Sequence, residues 1–192
     1  MWKNLKKILI IFSSPHENGK TKKLLNLFIE PMRNKFEINF FNTYENAILS
    51  CDDCGKCKQF DQCKFDDLKN LNANLEDCDV IVIASPVYNL GFPGPLKTLL
   101  DRFQAYYNFY MENGGCKVDK KKEVILLLTC GRKCDDFAVD VMERQLNCIL
   151  KYLNAKVSSK IIWDQTDANS ELNQGLLQKI KKISETLLNE DC

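Results

Sequence analysis

The chain has 192 residues, a formal net charge of +1 and a hydrophobic content of 45%. This length is enough for a domain with a substantial core, and the nearly balanced charge gives no support to nucleic-acid binding. The apolar run at residues 8–12 is too short for a signal peptide, and no stretch reaches transmembrane length. We therefore expect a cytoplasmic protein without a membrane segment, whose thiols stay reduced or hold metal.

Short apolar runs alternate with segments of helical spacing along the chain. Buried strands are predicted at residues 7–12, 36–41, 79–84, 124–129 and 157–163. Helices are predicted at residues 22–33, in a short segment ending near 75, from about 94 to 103, from 135 or 136 to about 153, and at 170–188. The alternation predicts a single doubly wound α/β domain over residues 1–192, with an open parallel sheet and helices on both faces.

Two stretches between these elements carry more local predictions. Asp66 and Asp67 are expected to cap the short helix that ends near residue 75. Residues 108–122 contain two adjacent glycines and a lysine run, so they are expected to form an irregular, exposed excursion.

The chain contains ten cysteines, and four of them fall within residues 51–63. These four are Cys51, Cys54, Cys57 and Cys63. Each Cys-x-x-Cys step lets two sulfurs converge on one metal, and Gly55 permits the tight backbone that such a loop needs. The spacing favours an iron–sulfur cluster over structural zinc, whose two ligand pairs usually lie about a dozen or more residues apart. Spacing alone leaves zinc, a disulfide and metal-free thiols open.

The loop at residues 13–21 is rich in hydroxyl groups and runs directly into a helix. Backbone amides and the helix dipole at such a position favour a phosphate group. Ser14, Asn18 and Thr21 are candidates for side-chain hydrogen bonds to it, and Lys20 is a candidate for added charge. A turn that only caps the helix is the alternative interpretation.

Two other functions are weighed against this interpretation of the loop. Gly19-Lys20-Thr21 resembles the end of a nucleotide-binding P-loop, but Ser14 replaces the first glycine and Pro15 stiffens the turn. A Rossmann site for bound NAD is disfavoured because the Gly-x-Gly-x-x-Gly fingerprint is absent. His16 is the only histidine, and without a partner histidine or a nucleophile-elbow serine we predict no hydrolase site.

The third predicted strand is followed by Ser85-Pro86-Val87-Tyr88-Asn89. In doubly wound sheets, ligands bind beyond the carboxyl ends of the strands, so this segment is expected beside the phosphate loop. A flat ring system would lie against Tyr88 or Phe92, although Phe92 fits a core position equally well.

These motifs together resemble the flavodoxin-like NAD(P)H-dependent FMN reductases, and especially the iron–sulfur flavoproteins among them. Four features carry the resemblance in the expected order: Ser14-Pro15 with residues 18–21, the cysteine stretch closed by Asp66-Asp67, Ser85-Pro86-Val87-Tyr88, and Lys97 with Asp101-Arg102. The family pattern differs at Ser13, His16 and Lys20, where glycine, arginine and asparagine are usual, and at Cys130, where a small residue is usual.

The resemblance implies a flavodoxin-like five-stranded sheet of order 2-1-3-4-5, bound FMN, and a homodimer or higher homo-oligomer. It places the FMN phosphate in the 13–21 loop and the isoalloxazine between residues 85–89 and 129–131. The implied FMN-binding residues are Ser14, His16, Asn18, Gly19, Lys20, Thr21, Pro86, Val87, Tyr88, Asn89, Thr129, Cys130 and Gly131. It also implies a [4Fe-4S] cluster on the four clustered cysteines.

The function predicted on this basis is an FMN-dependent oxidoreductase or electron-transfer flavoprotein. NAD(P)H is the expected transient reductant, and the other partner is a small molecule or a redox protein. Because the flavin carries the chemistry, no catalytic side chain is predicted. A flavin-free zinc-binding interaction module and an atypical P-loop protein are the alternatives. Cys130 and Cys134 are a redox pair or simply neighbours in one loop.

Overall fold

The computed structural model describes residues 5–60 and 62–189. Five parallel strands form one sheet in the order β2-β1-β3-β4-β5, which confirms the predicted topology. The strands are β1 Lys7–Phe12, β2 Glu37–Asn42, β3 Val80–Pro86, β4 Lys122–Thr129 and β5 Ala155–Trp163. Residues 1–4, 61 and 190–192, which the predicted domain includes, lie outside the described residues.

Helices cover both faces of the sheet. They are α1 Lys20–Ile29, α2 Lys56–Phe60, α3 Lys69–Asp77, α4 Gly94–Arg102, α5 Gln104–Asn113, α6 Asp136–Leu150 and α7 Gln174–Asn189. Short 3-10 turns follow α1 and α6, at Glu30–Met32 and Lys151–Leu153. No helix in the described part of the chain combines the length and apolar character needed to cross a lipid bilayer.

The interior strands are buried on both faces because alternate side chains enter two separate cores. In β1, Leu9 and Ile11 pack into the core under α3, α4, α5 and α6. Ile8, Ile10 and Phe12 pack into the opposite core, under α1 and α7. Each such side chain contributes about 1.5–3 kcal/mol on burial. The continuous apolar runs in the sequence are therefore the direct signature of this sheet.

The prediction for residues 108–122 is confirmed for residues 114–121, which are irregular and mostly exposed, but it is wrong at both ends of the stretch. α5 extends into this stretch and is closed by Gly114, whose φ of 68° is the left-handed conformation common at helix ends. Asn108, Val118 and Lys122 are buried. Lys122 begins β4, and its ammonium group donates to two carbonyl groups at the end of α3, which explains how a lysine is held inside.

The predicted capping role of Asp66 and Asp67 is also wrong. The N-cap of α3 is Leu68, and no side chain caps that helix. Asp67 is used elsewhere, at the base of the cysteine loop described below. Two helix boundaries also move, since α1 begins two residues before the predicted start and α7 four residues after it.

Candidate functional site

Three loops meet at the carboxyl edge of the sheet because β1, β3 and β4 are neighbours. The amide of Ser13 donates to the carbonyl of Ala84 at 2.8 Å, which ties the loop after β1 to the end of β3. The amide of Val87 donates to the carbonyl of Thr129 at 2.9 Å, which ties the loop after β3 to the end of β4. The edge has the position at which doubly wound sheets bind their ligands.

The loop after β1 presents free backbone amides at the start of α1. No side chain caps this helix, and its first turn contains no acidic residue. The amide of Gly19 donates to the carbonyl of His16 at 3.1 Å. A Cβ at Gly19 would lie 2.9 Å from the Cβ of His16, so the turn needs glycine. Uncapped amides and the positive end of the helix dipole are the features by which helix N-termini favour anions, so this loop is the candidate phosphate site.

A pair of buried hydroxyl groups connects this helix to the end of β4. Thr21 Oγ1 and Thr129 Oγ1 lie 2.7 Å apart and share a hydrogen bond. Lys20 points away from them, because its ammonium donates to the carbonyl of Ser170 at 3.1 Å and lies over the Trp163 ring. The helix start and the β4 loop are therefore held in one arrangement.

The predicted FMN-binding residues divide by exposure at this edge. Five of them are buried beneath the surface of the edge: Ser14, Thr21, Pro86, Thr129 and Cys130. His16, Asn18, Tyr88 and Asn89 are exposed, whereas Gly19, Lys20, Val87 and Gly131 are half-buried. The exposed and half-buried groups are the ones that a bound ligand would reach directly.

The loop after β3 makes a tight reverse turn beyond the sheet. Tyr88 and Gly91 exchange two backbone hydrogen bonds of 2.9 Å each. Between them, Asn89 and Leu90 have φ values of 49° and 62°. Left-handed conformations at both central positions are the geometry of a type I′ turn, and they are uncommon for leucine. Such local strain is typical of ligand-binding loops, and here it holds Tyr88 and Leu90 exposed at the edge.

The aromatic candidates at this edge differ from those expected. Phe92 packs against the core under α3 to α6, so it is a structural residue. Tyr44, which the sequence analysis missed, lies near Tyr88, and both are partly exposed. Burial, with a smaller effect of the nearby Tyr88, raises the pKa of Tyr44 above its usual value. An aromatic residue just beyond the carboxyl end of β2 was the signal for it.

The loop after β4 contains a disulfide between Cys130 and Cys134, whose Cα atoms lie 5.7 Å apart. Cys130 is buried and Cys134 is half-buried. The two residues predicted as a redox pair or as loop neighbours are therefore in covalent contact. They stand directly after Thr129, beside the shared hydroxyl pair.

The four clustered cysteines lie in a different environment. Cys51 and Cys54 are exposed and Cys57 and Cys63 are half-buried, and all four are free thiols. Among the described residues, no three Cys, His, Asp or Glu side chains converge on a common metal position. The predicted ligand set therefore has the chemistry for a cluster, but its four thiols are not gathered.

The loop that carries these cysteines, residues 50–66, is closed at its base by one buried guanidinium group. Arg102, at the end of α4, donates to the carbonyl of Leu49 at 2.6 Å and to both carboxylate oxygens of Asp67, at 2.7 and 2.9 Å. The amide of Leu49 also donates to Asp67, at 2.9 Å. The two ends of the loop are thus joined through a single ion pair, whose Arg102 side chain is 2% exposed.

The charges at this base reinforce each other. Burial opposes ionisation of Asp67, but the hydrogen bonds and positive charge of Arg102 outweigh it, and the Asp67 pKa lies below its usual value. Burial also opposes the charge on Arg102, yet Asp67 and the nearby Cys63 thiol keep the Arg102 pKa raised. The Nε of Arg102 is buried without a hydrogen-bond partner. The loop base is therefore a buried cation close to one of the four thiols.

Asn108 holds a second thiol of the loop. It is buried in α5, and its amide group donates to Cys57 Sγ at 3.0 Å. Lys64 pairs with Asp52 on the exposed side of the same loop. Sequence analysis missed Asn108 because it treated residues 108–122 as irregular, and it gave Arg102 no role although the residue was part of the family pattern.

The edge of the sheet fits FMN, since its phosphate could meet the uncapped amides of α1 and its ring the exposed groups after β3 and β4. The cysteine loop fits an iron–sulfur cluster in its donor chemistry, four thiols on one short loop beside a buried cation. A thiolate-ligated cluster carries negative charge, which the unpartnered Nε–H of Arg102 would favour.

The topology and this edge define a doubly wound α/β protein with a candidate ligand site at the carboxyl ends of β1, β3 and β4. The family described as having a flavodoxin-like fold matches residues 6–187. The chain belongs to this family, which confirms the resemblance expected from the motifs.

Relatives and solved structures extend the comparison. An iron–sulfur flavoprotein of Archaeoglobus fulgidus is 32% identical over 98 residues, which are 50% of this chain and 44% of that protein. The chain thus spans less than half the length of that relative. An FMN-dependent NADH:quinone oxidoreductase of Francisella philomiragia is 26% identical over 93% of this chain and 96% of that protein.

The solved structure of the NAD(P)H:quinone oxidoreductase from Methanothermobacter marburgensis superposes with a TM-score of 0.75 at 14% identity. It covers 95% of this chain and 96% of that chain, and it supports the fold. The zinc module and the atypical P-loop protein gain no support from these relatives.

Proposed function

We propose that this protein is an FMN-dependent oxidoreductase that takes electrons from NAD(P)H and passes them to a quinone-type small molecule or a redox protein. The observation that carries the proposal is the uncapped N-terminus of α1, which opens at the carboxyl edge beside the strained turn after β3. An anion site next to an exposed, rigid aromatic turn suits a phosphorylated ring cofactor. The relative named above as FMN-dependent supports the same assignment.

In this proposal the protein binds and orients the cofactor. The amides of the first turn of α1 would hold the phosphate, with Asn18 beside them and Thr21 fixed from below by Thr129. The rigid turn from Tyr88 to Gly91 would limit the ring to one side of the edge. Bound FMN supplies two-electron chemistry with a hydride donor and one-electron chemistry with other partners. No protein acid or base is assigned.

We also propose that Cys51, Cys54, Cys57 and Cys63 hold a [4Fe-4S] cluster. The support is the four free thiols on one loop, the buried Arg102 beside Cys63 and the relatives named iron–sulfur flavoproteins. Exposed loop residues leave room for the thiols to converge when the cluster is present, as ligand sets often do only with their metal. With both centres the protein would connect a two-electron donor to a one-electron acceptor.

The proposal extends to location and assembly. A reducing cytoplasm would keep the four thiols available for iron. A homodimer would cover exposed apolar side chains around the site, among them Tyr88 at 41%, Leu90 at 62% and Phe137 at 77% exposure.

Titration of flavin-free protein with FMN tests the main proposal. We expect the fluorescence of free FMN to be quenched until about one FMN is bound per chain, and we expect the loaded protein to oxidise NADH with a soluble quinone as acceptor. The absence of saturable FMN binding would contradict the proposal. If FMN binds but NADH is not oxidised, the protein would instead be an electron carrier that uses another donor.

A further inference from the structure

The loop after β4 contains two cysteines whose proximity does not depend on the bond between their sulfurs. The amide of Cys130 donates to the carbonyl of Trp163 at 3.0 Å, and the amide of Cys134 donates to Asp164 Oδ2 at 3.1 Å. Between them, the carbonyl of Gly131 accepts from the amide of Asp167 at 3.0 Å. These bonds fix the backbone from the neighbouring β5 loop, so the two thiols stay adjacent after reduction.

A purely structural role is a weak explanation for this disulfide. The ring that it closes contains three intervening residues, and a short ring removes less entropy from the unfolded chain than a long one. The Cα separation of 5.7 Å lies in the ordinary range for disulfides. Backbone hydrogen bonds already hold these two thiols together. Such a pair is instead suited to reversible reduction and re-formation of its disulfide.

The position and charge of the pair point to redox exchange. Cys134 is half-buried and directly precedes Asp135, the N-cap of the 15-residue helix α6. The positive end of that helix and the exposed Arg132 and Lys133 place positive charge close to the pair, the setting in which reactive cysteines are found. Asp135 and Asp164 oppose this effect in part. An accessible thiol at a helix start, paired with a buried one, is the usual arrangement of a reactive disulfide.

The pair also adjoins the proposed flavin site. Cys130 follows Thr129, which shares a hydrogen bond with Thr21 of the phosphate loop and accepts one from Val87 of the loop after β3. Cys134 packs against the same core as Val87. The disulfide therefore stands among the three loops at the carboxyl edge.

We propose that Cys130 and Cys134 form a redox-active disulfide that exchanges two electrons with the flavin bound at this edge. The proposal rests on the FMN binding proposed above. In the reductive direction the S–S bond breaks, and the two sulfurs take up two electrons and two protons to give two thiols. The two electrons and two protons come from the dihydro form of FMN, which returns to its oxidised form. NADH with a proton then restores the dihydroflavin.

Alkylation with iodoacetamide and peptide mass spectrometry test the pair in the whole protein. In air-oxidised protein we expect Cys130 and Cys134 to stay unlabelled while the exposed thiol of Cys148 is labelled. After anaerobic incubation with FMN and NADH, both should become labelled. Dithiothreitol should expose both in flavin-free protein, because reduction of the pair itself does not need the flavin. Labelling of both in the oxidised protein would overturn the proposal.

Electron counting separates this inference from FMN binding. Anaerobic FMN-loaded protein should consume about one more NADH per chain than Cys130→Ser or Cys134→Ser, and Cys148→Ser should match the unsubstituted protein. If the flavin is bleached while the disulfide stays closed, exchange with the flavin is overturned and the proposed function stands. If no FMN binds at all, both the proposed function and the proposed electron exchange between the disulfide and the flavin fail.

Discussion

The two proposed redox regions of this protein are built in opposite ways. At the carboxyl edge, backbone bonds between strand ends and the buried Thr21–Thr129 pair hold three loops in place. The cysteine loop is anchored at its base by Arg102 and Asp67 and at one thiol by Asn108, while two of its cysteines are exposed. A site made by the sheet is preformed, whereas a site made by one loop is completed by what it binds.

The largest expected effect comes from removing thiols of the cysteine loop, which should change iron content but not FMN binding. Replacing Cys51 and Cys54 with serine should abolish iron incorporation, because a cubane cluster needs its four thiolate ligands. FMN binding should stay unchanged, since neither residue belongs to the three loops proposed to bind FMN, which follow β1, β3 and β4. Iron analysis and FMN titration of the same sample measure both effects. Cys148→Ser, which removes an exposed thiol outside the loop, is the matched control and should retain iron. Loss of FMN binding together with iron would show that the two sites are one unit.

The next largest effect is expected at the base of the cysteine loop. Arg102→Ala leaves Asp67 buried without its cation, so the free energy of unfolding should fall by about 3 kcal/mol. The loop should also be cleaved faster in limited proteolysis. Lys97→Ala is the control on the same helix, because its exposed pair with Asp101 should contribute less than about 1 kcal/mol. Urea denaturation gives both values, and equal effects of the two substitutions would contradict a structural role for Arg102.

A smaller effect is expected for the hydroxyl pair at the carboxyl edge. Thr21→Val removes the shared hydrogen bond with Thr129 and should weaken FMN binding about tenfold, which corresponds to about 1.4 kcal/mol. Fluorescence titration measures the change. Thr186→Val, which removes an exposed hydroxyl from α7, should leave FMN affinity unchanged. An unaltered affinity in Thr21→Val would mean that the phosphate loop does not depend on this contact.

The smallest expected effect is a loss of the stability contributed by Asp67 at acidic pH. The Asp67 pKa lies below its usual value of 3.8, since Arg102 outweighs burial. A lowered carboxyl pKa contributes stability that is fully present above the unfolded pKa, near 3.8, and is lost as the pH falls through the lower folded pKa. The stability difference between the unsubstituted protein and Asp67→Asn should therefore shrink below pH 3.8. Urea denaturation at several pH values checks this, and a constant difference would contradict it.

Sequence analysis predicted the sheet well because each interior strand is one continuous apolar run, as at Ile8 to Phe12. It also predicted the edge that carries the candidate site, since carboxyl ends of neighbouring strands are always adjacent. Sequence analysis could not predict the contacts of the cysteine loop. Arg102 meets Asp67 across 35 residues and Asn108 meets Cys57 across 51, and no local pattern encodes such pairs.

The missed helix α5 is a different kind of error, because a local signal was present. Tyr106 and Tyr110 stand four residues apart, as neighbours on one helix face do, and Gly114 supplies the usual stop. The aromatic contact of Tyr110 with Tyr152, which follows α6, further supports the helix in the folded chain. Two adjacent glycines after a polar residue favoured the wrong interpretation.

The visible spectrum of anaerobically purified protein, with FMN, iron and acid-labile sulfide assayed on the same sample, tests the central claim most directly. We predict a flavin spectrum with about one FMN per chain, and broad additional absorbance with about four iron and four sulfide. A flavin spectrum without iron would contradict the proposed cluster and would leave the proposed reductase function standing. A colourless protein that takes up no FMN when it is supplied would contradict the account.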